Sequence, residues 1–372
     1  MFKILFVSTH SGFYGSNQSL LQLCNGMKRT FDISVLVQRR GLFWRILKEN
    51  NINIHVIPSF KLVKGNQKYI QLKRFINILI LPVLIIIYRI KKYDLIITNS
   101  PISYLHAEAA KYASINHLWH VREDLVKHQK CELVGGEDHF KRKLIALSNN
   151  RIYSSYALKE SYGIDNTQES GHVIYDGVLS RETVVCRKQR NINAPVILFI
   201  GSLTIEKGIL HACYIVEELS VFFPEITLKL VGTYGAGIES VIRQSYPVLY
   251  EKSIISHTEF TLDTQSEYCN ADFLLTLSNF EGFGRNVAEA MLRKLFVCGY
   301  NTGAIPELIN DDMYGSLVNY GDDGNLIKKI VHYVEHLEEY NGIVDRSHNI
   351  AIKSFTIEAC SEEYVKYVKS IN

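Results

Sequence analysis

No Cys-x-x-Cys pair occurs in this 372-residue chain, whose seven cysteines stand singly at 24, 131, 186, 213, 269, 298 and 360. An odd, unpatterned set argues against a disulfide framework or a Cys-ligated zinc site and for a reducing cytosol. Gly-x-Gly-x-x-Gly is absent, so no dinucleotide fingerprint is written into the sequence. Asp-x-Asp is absent too; Asp311-Asp312 and Asp322-Asp323 are only adjacent pairs in loop-like sequence, so a metal-bridged diphosphate is not expected. The N-terminal Met1-Phe2-Lys3-Ile4-Leu5-Phe6-Val7-Ser8 has too short an apolar run for a signal peptide and no small-residue cleavage site; it reads as a first β-strand.

Long apolar runs are also missing. The most apolar stretch, Phe75 to Tyr88, has fourteen residues and is interrupted by Pro82, whereas spanning a bilayer takes about 20. Two placements remain for it, a helix buried under a sheet or one lying in a membrane interface. The second gains from the polybasic flanks Lys61, Lys64, Lys68, Lys73 and Arg74 before it and Arg89, Lys91 and Lys92 after it. Net charge is only +3, yet residues 1–100 carry fifteen Lys or Arg against three Asp or Glu, which leaves the remainder net acidic. A basic N-terminal third calls for an anionic partner: nucleic acid, acidic lipid or a phosphorylated substrate. Neither aromatic interleaving nor a helix-turn-helix pattern accompanies these charges, so nucleic acid is not expected.

What is present is an alternation of short apolar runs with helix-compatible segments, the pattern of a doubly wound α/β chain long enough for two domains. The runs at Lys3–Ser8, Ile33–Val37, Ile54–Ile57, Leu95–Thr98, Leu118–Val121, Leu144–Leu147 and Val173–Tyr175 belong to the first, and the polar Arg181–Ala194 stretch is the linker candidate. The second opens with Val196–Ile200 and continues with Thr227–Val231 and Phe273–Leu277.

The most informative segment follows that last run: Asn279-Phe280-Glu281-Gly282-Phe283-Gly284-Arg285-Asn286-Val287-Ala288-Glu289-Ala290-Met291. A strand, a Gly-containing loop and a helix put backbone N–H groups and a positive helix end in one place, which suits a phosphate. Glu281 and Glu289 bracket that place. Carboxylates would repel a diphosphate, so they suit hydroxyls on either side of one, and a nucleotide sugar meets that demand. A second strand-loop-helix unit, Thr9-His10-Ser11-Gly12-Phe13-Tyr14-Gly15-Ser16, stands near the N-terminus.

The segment resembles the E-x7-E signature of retaining GT-B glycosyltransferases of the group 1 (GT4) family. Ile200-Gly201-Ser202-Leu203 with Glu206-Lys207-Gly208 resembles that family's G-R-L…K-G element, with Ser202 where the family has Arg. Asn301-Thr302-Gly303-Ala304-Ile305-Pro306-Glu307 resembles its Gly-x-x-Pro-Glu loop, and Tyr175-Asp176-Gly177 the end of its first domain, where Asn more often precedes the Gly. The resemblance implies a GT-B fold, two Rossmann-like doubly wound domains facing across a cleft. Residues 1–185 would form the acceptor side, joined by a C-terminal helix at 356–372, and residues 186–355 the nucleotide-sugar side.

It further implies a hexosyl transfer with retention from a nucleoside diphosphate sugar to an acceptor hydroxyl, with no cofactor and no metal. Glu281 would read sugar hydroxyls and Glu289 the ribose. Gly15, Ser16, Gly201, Ser202, Lys207, Gly282, Phe283, Gly284 and Arg285 would line the donor, with Arg285 supplying the charge that Ser202 lacks. The acceptor-side residue is His120 or Arg122 in His117-Leu118-Trp119-His120-Val121-Arg122. The basic third and the apolar run together fit a polyprenyl-diphosphate-linked saccharide acceptor in cell-surface polysaccharide synthesis, with the enzyme cytoplasmic and peripheral on an anionic membrane. A nucleotide-sugar epimerase of the same fold is the alternative; it would act on the donor alone.

Overall fold

The computed structural model describes residues 1–372 apart from 11, 62–66, 126–132, 165–170, 183–190, 192, 311–312 and 372. The chain divides into one unit of Met1–Gly177 with Ile357–Asn372 and another of Val178–Thr356. Most of the linker candidate Arg181–Ala194, and the Asp311-Asp312 pair, lie outside the described residues.

The first unit is built on seven strands: β1 (Lys3–Ser8), β2 (Asp32–Val37), β3 (Asn53–Val56), β4 (Leu95–Asn99), β5 (Asn116–Val121), β6 (Asn150–Tyr153) and β7 (Gly171–Val173). Their order is β3-β2-β1-β4-β5-β6-β7 and every pairing is parallel. A parallel sheet covered on both faces explains why these strands read as unbroken apolar runs: Ile4, Leu5, Phe6 and Val7 are all buried. Chain direction across the sheet reverses between β1 and β4, where Val7 pairs with Thr98 and Ser8 with Asn99.

The helix Gly15–Met27 follows β1. Against it lies the helix Ile357–Ser370, whose Cys360, Tyr364 and Val368 complete a core with Leu20, Leu23, Cys24 and Met27. Gly26 permits this approach, because a Cβ there would come within 1.9 Å of Ser361 Oγ.

The second unit has β8 (Val196–Ile200), β9 (Thr227–Val231), β10 (Ile255–Thr258), β11 (Phe273–Thr276), β12 (Phe296–Tyr300) and β13 (Ser316–Val318), in the order β10-β9-β8-β11-β12-β13, again all parallel. Here the winding reverses between β8 and β11. Two doubly wound α/β units are what the sequence pattern led us to expect.

Three readings of the sequence need correction. The single cysteines are not all free, because Cys269 is disulfide-bonded. Leu144–Leu147 is no strand; it ends the helix Gly136–Leu147, with Phe140 and Leu144 buried one turn apart. The strand is Asn150–Tyr153, disguised by the buried Arg151, whose Nη1 donates to the Ser148 carbonyl at 2.9 Å. The apolar stretch at 75–88 is likewise part of a longer helix, Gln67–Lys91, 25 residues that continue through Pro82. Pro82 has no N–H to give to the Ile78 carbonyl one turn back. The break is tolerated because both residues are exposed there.

Candidate functional site

In open α/β sheets ligands bind beyond the carboxyl ends of the strands, where the winding reverses. In the second unit that place lies past β8 and β11, and there Gly201, Ser202, Lys207 and the loop 278–284 collect. Gly201 holds φ +137° directly after β8, its N–H donating to the Val231 carbonyl at 3.0 Å. Lys207 ends a single 3-10 turn, Ile205–Lys207, and its side chain stays 39% exposed.

Glu281 is the centre of this cluster. Its Oε1 accepts from Lys207 Nζ at 2.6 Å and from Ser278 Oγ at 2.5 Å, and its side chain is 14% exposed. The loop after β12 fixes the backbone beneath it. Ala304 N–H donates to the Glu281 carbonyl at 2.9 Å, and Thr302 Oγ1 to the Ser278 carbonyl at 2.8 Å. Gly303, at φ +54°, lies so close that a Cβ would be 2.3 Å from the Glu281 oxygen. A side chain there would both clash and strain the turn.

Glu289 lies in the helix Arg285–Leu292, which Gly284 caps in the left-handed region at φ +91°. Arg285 Nη2 reaches Glu289 Oε1 at 3.1 Å, and Arg293 Nη1 comes within 3.8 Å of Oε2. Arg293 also donates to Gln265 Oε1 at 3.0 Å and rests 4.6 Å from the centre of the Tyr268 ring. Burial first, and the neighbouring Glu289 carboxylate second, hold the Tyr268 phenol well above its ordinary value. Phe283 is buried and its ring meets that of Phe355 edge-on at 5.8 Å.

The first unit gathers a different set past β1, β4 and β5. Gly15 and Ser16 open the helix Gly15–Met27, where the first N–H groups have no acceptor within the helix. The buried Asn17 ties the preceding loop together: it accepts from Ser8 Oγ at 2.7 Å and donates to the carbonyls of His10 at 3.0 Å and Gly12 at 2.6 Å.

Arg122 is 7% exposed and forms an ion pair with Asp176. Its Nε donates to Asn99 Oδ1 at 2.6 Å and its Nη2 to His120 Nδ1 at 3.3 Å, and Ser19 Oγ donates to the other Asp176 oxygen at 2.7 Å. Tyr364, from the terminal helix, contacts the same His120 Nδ1 at 3.0 Å. A guanidinium can only donate. Nδ1 is therefore the acceptor and Tyr364 the second donor, so the imidazole proton sits on Nε2. That Nε2 is buried and has no hydrogen-bond partner among the described residues. Burial, then the Arg122 charge, hold the His120 pKa well below its ordinary value, so the ring is neutral.

Of the two acceptor-side candidates, then, His120 presents a donor with nothing to bind, whereas the Arg122 charge is already balanced. Sequence reasoning missed Asp176 as a partner of Arg122, although both are charges where the family pattern is otherwise, and it missed Asn99, Ser19, Tyr364, Ser278 and Arg293. Among the described residues no three His, Cys, Asp or Glu side chains gather as a metal site would require.

Residues 194–336 match the family model described as glycosyl transferases group 1. An uncharacterized 41.2 kDa protein in the cps region of Klebsiella pneumoniae is 22% identical over 281 residues, 75% of this chain and 72% of its own length. Among solved structures, HepE of Anabaena in complex with UDP and glucose superposes over 100% of both chains, with a TM-score of 0.80 and 19% identity. The lipopolysaccharide outer core galactosyltransferase WaaB, in its apo form, does so over 100% of both with a TM-score of 0.72 and 18% identity. The fold is that of the GT-B glycosyltransferases.

Proposed function

We propose that the chain is a glycosyltransferase, since residues 194–336 match the glycosyl transferases group 1 model, and that it moves a hexosyl group with retention from a nucleoside diphosphate sugar to a hydroxyl of a lipid-linked saccharide. The observation that carries the proposal is the Lys207–Glu281–Ser278 cluster at the winding reversal of the second unit. Without a donor, Lys207 and Glu281 neutralise each other. With one, the half-exposed ammonium turns to the diphosphate, and Glu281 is left to accept hydrogen bonds from sugar hydroxyls. Glu289, steadied by Arg285 and Arg293, accepts from the ribose hydroxyls, and Arg285 adds charge beside the phosphates in place of the Arg that Ser202 replaces.

The leaving phosphate oxygen takes the acceptor's proton on the face from which the acceptor attacks, so the anomeric configuration is kept. Charge that develops on that oxygen is met by Lys207 and by the amino end of the Arg285–Leu292 helix. His120, whose Nε2–H has no partner among the described residues, is the residue that the first unit offers to the acceptor side. UDP and glucose in HepE favour a uridine donor, and the cps region that holds the Klebsiella pneumoniae relative favours a role in cell-surface polysaccharide synthesis.

A panel of nucleotide sugars scored by melting temperature tests the donor. A ligand present at a hundred times its Kd adds about 2.7 kcal/mol of stability. The expected result is a UDP-sugar that raises Tm, with the product's anomeric configuration by NMR matching the donor's. An inverted product, or a covalent glycosyl adduct on Glu281, would overturn the mechanism.

A further inference from the structure

Resting on the reading of a lipid-linked acceptor, we propose that the outward face of the Gln67–Lys91 helix is the surface by which this chain docks, lying flat, on an anionic lipid bilayer. Leu72, Phe75, Leu79, Val83, Ile86 and Ile90 follow one another at steps of three or four residues, and each is between 50% and 71% exposed. Such steps align side chains along one side of a helix. The stripe is about 27 Å long at ~1.5 Å per residue, and no charged residue interrupts it between Arg74 and Arg89. An exposed apolar surface this continuous marks an interaction site.

The charges sit at its two ends, Lys68, Lys73 and Arg74 at one and Arg89, Lys91 and Lys92 at the other, and the helix carries no acidic residue. Those ends select the occupant. A second copy packed about a twofold axis would set basic ends against basic ends whether its helix ran parallel or antiparallel, since both ends carry Lys or Arg and the helix has no acidic residue. Anionic headgroups neutralise both ends while the acyl boundary takes up the stripe.

By length and composition, Lys68–Lys91 is also able to cross a bilayer. The opposite side of the helix argues for the flat placement. Leu84 and Tyr88 are fully buried in a core with Leu5, Ile96, Ala109 and Ala110, the Tyr88 hydroxyl is bonded to His106 Nδ1 at 2.8 Å, and Asn77 bonds the Phe60 backbone at 3.0 and 3.1 Å. Crossing would strip all of these contacts.

Flotation of the full chain with phosphatidylglycerol/phosphatidylcholine vesicles, beside phosphatidylcholine alone, decides the matter. Binding is expected only with phosphatidylglycerol, weakening at about 0.5 M salt as charges are screened, and it should be released by alkaline carbonate. The double variant Leu79→Glu/Ile86→Glu should bind at least about tenfold more weakly, since each buried apolar side chain is worth that much. Its Tm should be unchanged, because both positions face outward. Lys91→Glu/Lys92→Glu should weaken the phosphatidylglycerol preference without touching the stripe.

Wild-type affinity in the apolar double variant would overturn the proposal, as would failure of the native chain to float. Carbonate-resistant binding would assign the helix to a membrane span. A concentration-dependent dimer in sedimentation that Leu79→Glu abolishes would give the face to a second copy. Vesicle binding with no nucleotide-sugar response would sink the proposed reaction and leave the docking face standing, and the reverse pair of results would do the opposite.

Discussion

A guanidinium 7% exposed needs its charge balanced, and Asp176 balances that of Arg122. Removing one member of such a pair strands the other, at a cost of about 3–5 kcal/mol. Arg122→Ala should therefore lower stability by that order in a denaturant titration, and any loss of activity would follow from unfolding. Tyr364→Phe is the gentler probe of the same cluster. It deletes one hydrogen bond to His120 Nδ1, worth about 1 kcal/mol, and leaves the ring free to turn. A severalfold fall in kcat with the donor KM unchanged is expected; a loss confined to Tm would make Tyr364 purely structural. In the second unit, Arg285→Ala should raise the donor KM severalfold, and unchanged kinetics would remove Arg285 from the donor site. The residues that hold the donor candidates were legible because Glu281, Gly284 and Glu289 fall within one local stretch. Arg122 and Asp176 were each visible as departures, but their pairing was not: they stand 54 residues apart and meet only once the parallel sheet brings the ends of β5 and β7 together.

At the scale of elements, the strands that line both winding reversals were readable from composition, since burial on both faces leaves an apolar run. Leu144–Leu147 misled for the same reason: a four-residue run does not distinguish a strand from one side of a helical turn. The Gln67–Lys91 helix was read too short because its charged ends look like boundaries, although Lys and Arg are good helix formers. Where two helices touch, small residues matter more than pattern. Gly26→Ala would push a Cβ into Ser361 and should cost about 1–3 kcal/mol. Ser361→Gly in the same chain should recover part of it; an additive loss in the double variant would refute the close approach.

For the whole molecule, buried neutral histidines set the response to acid. Burial lowers His10 to about 4 and His106 and His117 to about 3, and holds His120 well below its ordinary value. All four are in the first unit. With folded values below the unfolded value of about 6.5, the unfolded chain binds more protons in that window, so stability is full above pH 6.5 and falls as the pH drops. Each such His contributes about 1.4 kcal/mol per pH unit across its window. Both tryptophans, Trp44 and Trp119, also lie in that unit. Their fluorescence should therefore report an acid transition at higher pH than the loss of total helix by circular dichroism. Coincident transitions would mean that the two units melt together.

The return of residues 357–370 to the first unit also fixes the order in which a ribosome can deliver a finished protein. The second unit is complete in sequence once Thr356 has been made, while the sheet begun at Lys3 still lacks the helix that supplies Cys360, Tyr364 and Val368 to its core. The part synthesised first thus waits longest for its last piece, holding apolar surface open meanwhile. A stall or stop codon near residue 356 would leave a folded second unit attached to a first unit that is prone to aggregate.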